Sequence, residues 1–116
     1  MYQIQVTQPA QEDLQSAISY IPDQLKNQQA AHNLLSAVGK SIRSLSEMPE
    51  RFPLIEDEIL KREGFRLFRV KNYLVFYTVR HSSNTVVIQR FLYGRRDWLH
   101  LLKAHGSEIL TVDDDT

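Results

Sequence analysis

The sequence of 116 residues contains no cysteine, which excludes disulfide bonds and cysteine-ligated metal centres. Its apolar stretches are only a few residues long, far short of the roughly 20 that a membrane-spanning helix requires. The first residues, 1–6, show neither the cationic leader nor the apolar segment of a secretory signal. We therefore expect a soluble cytoplasmic protein of about one domain.

The motifs of metal, cofactor and nucleophile chemistry are also missing. No glycine-rich phosphate loop occurs, and Ser82-Ser83 lacks the surroundings of a nucleophile. The acidic run 56–58 is interpreted as a solvated loop. The four histidines lack the spacing of metal ligands; they are His32, His81, His100 and His105. We therefore predict no metal and no cofactor.

Charge is abundant but segregated along the chain. Residues 1–60 contain eight acidic and four basic side chains, residues 61–103 contain ten basic and two acidic ones, and residues 104–116 contain four acidic ones. Seven of the ten basic residues in the middle segment are arginines. Arginine binds phosphate through two parallel hydrogen bonds, so this segment predicts an anionic partner. The alternative is a solvated strand face whose charges keep a sheet soluble.

The N-terminal half predicts a strand followed by a helical hairpin. Residues 2–6 alternate apolar and polar, which is typical of a half-buried strand. Thr7 can cap the next helix and Pro9 suits its first turn, while Pro22 breaks or kinks it. After a connection at Lys26-Asn27, a longer helix is expected to end near Met48, because Pro49 disfavours helix in the residue before it.

The C-terminal half predicts a connector, three strands and a short helix. Residues 49–63 are interpreted as irregular, and a helix is expected over 97–103. Turns are expected at 71–72 and 81–84. The predicted strands are rich in Val, Ile, Phe and Tyr and comprise Phe65–Val70, Tyr73–Arg80 and Thr85–Tyr93.

This element order indicates an α+β fold, in which the helical hairpin packs on one face of a mostly antiparallel four-stranded sheet. The other face, with part of the arginine set, would remain open to a partner. We assign residues 1–103 to a single domain and residues 104–116 to a mobile acidic tail.

The segment Arg90-Phe91-Leu92-Tyr93-Gly94-Arg95-Arg96-Asp97-Trp98 is the strongest candidate site. It predicts a strand, a glycine turn and two arginines at the start of a short helix. Arginine beside tyrosine suits RNA, since guanidinium binds phosphate and phenol stacks on a base. The structural alternative is that Arg95 pairs with Asp97 and Tyr93 packs in the core.

Over residues 2–103 the chain resembles the RelE/ParE superfamily of toxin–antitoxin toxins. The order and spacing of several short motifs carry this resemblance: Ala10, Asp13-Leu14, Tyr20-Ile21, Gln29-Ala30-Ala31, Leu34-Leu35, Ile42, Leu45, Pro49-Glu50-Arg51-Phe52-Pro53, Gly64-Phe65-Arg66, Val70, Asn72-Tyr73, Val75-Phe76-Tyr77 and Tyr93-Gly94-Arg95-Arg96-Asp97.

The resemblance implies a compact growth-inhibiting toxin of a type II system, of the kind associated with plasmid stabilization, that a cognate antitoxin silences. RelE-like members enter the ribosome and cut mRNA by promoting attack of a 2′-hydroxyl on the adjacent phosphate. ParE-like members bind DNA gyrase and poison it without a known catalytic site. A toxin-fold interaction module that has lost toxicity is the third hypothesis. Of these, the arginine-rich sheet with interleaved aromatics favours the ribosome-dependent mRNA endonuclease.

The correspondence with RelE-like nucleases is partial. Arg96 matches their C-terminal arginine, but Leu74 stands where they place an arginine after Tyr73, and Leu101-Leu102 replaces their late tyrosine. The Gly-Arg-Arg-Asp ending is equally ParE-like. The candidate catalytic residues are Arg66, Arg69, Tyr77, Tyr93 and Arg96, and the candidate RNA- or target-binding residues are Lys71, Arg90 and Arg95.

Overall fold

The computed structural model describes residues 1–20, 28–94 and 98–104. Within these ranges lie four strands and four helices: β1 (Gln3–Val6), α1 (Gln8–Tyr20), α2 (Gln28–Ser44), α3 (Glu58–Arg62), β2 (Arg66–Val70), β3 (Tyr73–Arg80), β4 (Thr85–Tyr93) and α4 (Trp98–Ala104). The predicted helix break at Pro22, the connection at Lys26-Asn27 and almost all of the acidic tail fall outside the described residues.

The strands form one sheet in the order β1-β4-β3-β2. The chain passes from β2 to β3 to β4 through tight turns, so these strands are antiparallel, while β1 pairs in parallel with β4. Lys71 and Asn84, one in each turn, have positive φ angles of 56° and 51°. This arrangement confirms the predicted α+β fold with a mostly antiparallel four-stranded sheet.

Local hydrogen bonds begin α1 and end α2. The hydroxyl of Thr7 accepts the Ala10 N–H at 3.2 Å, as predicted for a helix cap. The second helix, α2, stops at Ser44 rather than near Met48. There the Leu45 N–H bonds the carbonyl three residues back, and the Ser44 hydroxyl donates to the Ser41 carbonyl at 2.6 Å. These tighter bonds end the helix before Pro49 is reached.

The prediction of an irregular connector over residues 49–63 was wrong in part, because it contains α3. The Asp57 carboxylate accepts the backbone N–H groups of Ile59 and Leu60 at 3.0 and 3.1 Å. Beyond the helix, Gly64 has a φ of +84° and allows the chain to turn back into β2. The acidic run is therefore the start of a capped helix and not a loop.

Hydrophobic clusters cover both faces of the sheet. The first face packs against the hairpin helices, with Leu34 and Val38 from α2 meeting Phe68 and Val75. The expectation that the second face is open was wrong. That face packs against α3 and α4 through a cluster formed by Ile55, Leu60, Phe65, Leu74, Phe76, Leu92 and Leu102.

Helix α1 completes the edge of β4. Strand β1 pairs only with Thr85–Ile88, so within the described residues the rest of β4 has no strand beside it on that side. The Thr7 hydroxyl donates to the Gln89 carbonyl at 2.9 Å, and the Asp13 carboxylate accepts the Phe91 N–H at 3.1 Å. The same carboxylate binds the Arg90 guanidinium in a bidentate pair at 2.6 and 2.9 Å.

A β-bulge in the middle of β4 changes which face of the sheet its later side chains lie on. Tyr77 pairs with Ile88 but the next pair is Phe76 with Arg90, so β4 contains one extra residue, Gln89. Ile88 and Phe91 consequently face the same cluster although they are three positions apart. The Nε2 of Gln89 donates to the Thr78 hydroxyl at 3.1 Å on the buried sheet.

Removing Asp13 should destabilise the fold strongly. Asp13→Ala leaves the Arg90 guanidinium, which is 13% exposed, without its carboxylate and the Phe91 N–H without an acceptor. We expect the free energy of unfolding to fall by about 3 kcal/mol in urea denaturation. The neighbouring Glu12→Ala, an exposed control, should change it by less than about 0.5 kcal/mol. Equal effects of the two substitutions would contradict this role of Asp13.

Candidate functional site

Tyr77 lies in the core and not on a surface that a substrate could reach. Its side chain is fully buried, and its hydroxyl donates to the Pro49 carbonyl at 2.8 Å. Burial raises the pKa of Tyr77 above its ordinary value. The phenol therefore stays protonated at neutral pH and connects β3 with the segment that follows α2.

Arg66 and Arg90 are also engaged in structural contacts. The Arg66 guanidinium donates to the Phe52 carbonyl at 2.7 Å and lies 3.4 Å from the Glu50 carboxylate. The hydrogen bonds that the Arg90 guanidinium donates to the Asp13 carboxylate raise the pKa of Arg90 and hold its guanidinium beside α1. These two arginines hold the connector and the first helix against the sheet.

Three other candidates, Arg69, Lys71 and Tyr93, meet at one corner of the sheet. The ladder places Val70 beside Tyr73 and Tyr73 beside Tyr93, so the β2–β3 turn lies next to the end of β4. All three side chains are exposed, with Tyr93 at 38%. We call this corner, together with Asn72 and Gly94, the basic corner.

Gly94 allows the chain to pass closely over the basic corner. Its N–H donates to the Asn72 carbonyl at 2.8 Å. A Cβ atom at this position would lie 3.1 Å from that carbonyl oxygen and 3.3 Å from Nη1 of Arg69. The missing side chain thus leaves room for the Arg69 guanidinium beside Gly94.

Two clefts open at the basic corner. One of about 250 Å³ is lined by Arg69, Asn72, Tyr93 and Gly94. The other, of about 370 Å³, extends toward α2 and is lined by Ala30, Asn33, Leu34, Lys71, Asn72, Tyr73 and Tyr93. The Tyr73 ring stacks on Phe91 at 4.8 Å and meets Tyr93 edge-on at 5.6 Å. The corner therefore combines cations, amides and an exposed phenol on a rigid aromatic base.

Two candidates, Arg95 and Arg96, lie outside the described residues. The chain is described again from Trp98, which packs against Phe76 with ring centroids 5.3 Å apart. Among the described residues, no three His, Cys, Asp or Glu side chains form a cluster that could hold a metal ion. No helix in the described ranges is long and apolar enough to cross a membrane.

Sequence reasoning did not single out Asn33 and Asn72, which line the clefts with Lys71 and Tyr93. A signal for Asn72 was present, because Lys71-Asn72 was expected to form a tight turn and so to sit at the edge of the sheet. Asn33 belongs to α2, and no local pattern relates a helical position to a turn almost forty residues later. The pairing of Asp13 with Arg90 was likewise not anticipated.

Comparison with known proteins gives one family and one fold. The family described as the ParE toxin of the type II toxin–antitoxin system, parDE, matches residues 4–98. A solved structure with the same fold is the toxin–antitoxin complex RelBE2 from Mycobacterium tuberculosis. It is 24% identical in sequence, with a TM-score of 0.56, over 79% of this chain and 96% of that chain. No curated protein matches the sequence.

Tyr77 should contribute to stability through its hydroxyl. Tyr77→Phe removes the donor to the Pro49 carbonyl, and we expect the free energy of unfolding to fall by about 1 kcal/mol. Tyr93→Phe changes an exposed hydroxyl and should leave it unchanged. Urea denaturation at neutral pH measures both, and an unchanged stability of Tyr77→Phe would contradict the assignment.

The buried phenol of Tyr77 should make the free energy of unfolding decrease at alkaline pH. Because the folded-state pKa of Tyr77 is raised, its contribution is complete below the ordinary tyrosine pKa near 10.0 and is lost as the pH rises through the folded value. As the pH rises above about 10, the wild-type protein should therefore lose stability more steeply than Tyr77→Phe. Parallel pH profiles would show that burial does not hold the phenol protonated.

Proposed function

We propose, because the chain belongs to the ParE toxin family of type II toxin–antitoxin systems, that it inhibits growth as a non-catalytic poison of DNA gyrase. The family match over residues 4–98 also supports a toxin domain spanning residues 1–103. The basic corner is the surface that we assign to the target.

The main observation behind this proposal is that several residues which could serve a nuclease instead make contacts that hold the fold together. A ribonuclease needs groups that accept and donate protons at the reacting phosphate. Tyr77 is buried against the Pro49 carbonyl, and Arg66 and Arg90 are bonded to the connector and to Asp13. The described lining of the clefts contains no His, Asp or Glu.

The exposed side chains of the basic corner are suited to binding a partner. Arg69 on β2 offers a planar guanidinium, Lys71 in the turn a flexible ammonium and Tyr93 on β4 an amphipathic ring. The Gly94–Asn72 hydrogen bond joins the turn to the end of β4. Tyrosine and arginine are the residue types that dominate binding energy at protein interfaces. A rigid, cationic, aromatic corner can bind an acidic protein surface without any chemical step.

A cognate antitoxin is the second partner that we propose. The RelBE2 structure is itself a toxin–antitoxin complex, and this chain has the fold of one chain of that complex. Co-expression with the protein of a neighbouring reading frame should restore growth and give a complex that survives size-exclusion chromatography. Continued growth inhibition, with the two proteins eluting separately, would contradict this partnership.

Ribosome-dependent mRNA cleavage is the second candidate activity. The observation in its favour is that the Arg69 guanidinium and the Tyr93 phenol line one cleft. Arginine can neutralise a phosphate while a phenol at its side stacks on a base or transfers a proton. Arg96, which matches the C-terminal arginine of RelE-like nucleases, lies outside the described residues.

Purified toxin should trap gyrase on DNA. We expect linear DNA to accumulate in a gyrase cleavage assay and no new 5′ ends to appear in primer extension on translated mRNA. Arg69→Ala and Lys71→Ala should each require about tenfold more protein for the same effect, since each removes a charge-assisted contact. Arg62→Ala, an exposed arginine of α3, is the matched control and should behave as wild type.

The two assays together separate the alternatives. New 5′ ends that disappear in Arg69→Ala, with gyrase unaffected, would replace the gyrase proposal by the endonuclease. Normal growth after induction of the chain, with neither activity present, would instead identify an interaction module without toxicity.

A further inference from the structure

A chain of hydrogen bonds far from the basic corner joins three side chains of different segments. The hydroxyl of Tyr2 lies 2.6 Å from Nδ1 of His81, and Nε2 of His81 lies 2.9 Å from the Glu50 carboxylate. The Tyr2 and His81 rings meet edge-on, with centroids 5.7 Å apart. The imidazole of His81 thus connects the hydroxyl of Tyr2 with the carboxylate of Glu50.

The direction of these hydrogen bonds follows from the carboxylate. The hydrogen bond from His81 lowers the pKa of Glu50, so Glu50 is ionised at neutral pH and can only accept. Nε2 of His81 must therefore carry the proton. In the neutral imidazole Nδ1 is then the acceptor, and Tyr2 donates its hydroxyl proton to it.

The backbone holds this chain of groups in place. The Tyr2 N–H donates to the Ser46 carbonyl at 2.8 Å, and the next N–H, of Gln3, donates to the Asn84 carbonyl at 2.9 Å. The Arg66 guanidinium lies 3.4 Å from the same Glu50 oxygen, Oε2, that contacts His81. A base positioned by two fixed neighbours is the arrangement that activates hydroxyl nucleophiles in enzymes.

The chain of groups opens to solvent. A cleft of about 410 Å³ is lined by Tyr2, Met48, Pro49, Glu50, Arg51 and His81. The side chains of His81 and Glu50 are 56% and 53% exposed. A small electrophile can therefore reach the Tyr2 oxygen while the imidazole stays bonded to it.

We propose that Tyr2 is a nucleophile that takes an acyl group from an activated acyl donor, with His81 as its general base and Glu50 as the residue that positions His81. The Tyr2 oxygen forms a bond to the acyl carbon and its proton moves to Nδ1 of His81. The bond from the acyl carbon to the leaving group breaks, and Nδ1 returns the proton to that group. This site is independent of the gyrase proposal.

N-acetylimidazole is the probe that tests this site, with Tyr93 as the reference in the same molecule. Tyr93 is exposed while Tyr2 is half-buried, so accessibility alone predicts faster acetylation of Tyr93. General-base assistance should instead make Tyr2 at least about tenfold faster than Tyr93. Peptide mass spectrometry measures both rates, and hydroxylamine, which removes O-acetyl but not N-acetyl groups, separates Tyr2 from the Met1 amine.

Two variants separate base assistance from a structural role. His81→Gln keeps hydrogen-bonding capacity but removes the base, and should bring the Tyr2 rate to that of Tyr93 or below. Glu50→Gln should lower it partially. The Tyr93 rate, unchanged in both, is the internal reference for the reactivity of an exposed tyrosine. Tyr2 acetylation no faster than that of Tyr93, or an unchanged ratio in His81→Gln, would overturn the proposal.

Discussion

The sheet depends on how the edge of β4 is completed beyond the end of β1. Strand β1 has only four residues and β4 has nine, so the backbone groups of β4 from Gln89 onward need other partners. Thr7, which caps α1, and Asp13 within α1 supply them, and Asp13 also neutralises Arg90. This contact fixes α1 along the sheet and therefore sets where the hairpin helices meet the first hydrophobic cluster.

The bulge at Gln89 sets which residues of β4 face each of the two hydrophobic clusters. Before it, Ile88 faces the hairpin helices; after it, Phe91 faces the same side and Leu92 faces α4. Without the extra residue, Phe91 and Leu92 would exchange faces, because side chains alternate along a strand. The end of β4 would then present Tyr93 and Gly94 differently to the β2–β3 turn, and the basic corner would not form.

Arginines and tyrosines of the candidate set play different roles although they are the same residue types. Arg69 and Arg66 lie three positions apart on β2, yet one is exposed at the basic corner and the other is bonded to the Phe52 carbonyl. Tyr77 and Tyr93 divide in the same way between core and surface. Burial and hydrogen bonding therefore decide which members of a cationic, aromatic set remain available to a target.

From the sequence we could predict the order of the elements other than α3, the three C-terminal strands, the Thr7 cap and the α+β fold, because these follow from local alternation, turn residues and capping chemistry. Helix α3 could also have been predicted from the sequence, since Asp57 before a helical run and Gly64 after it are local signals. Only the tertiary structure decided the pairing of Asp13 with Arg90, the bulge at Gln89 and the burial of Tyr77. These depend on contacts between residues distant in the chain, and no local pattern records which of several similar side chains will meet.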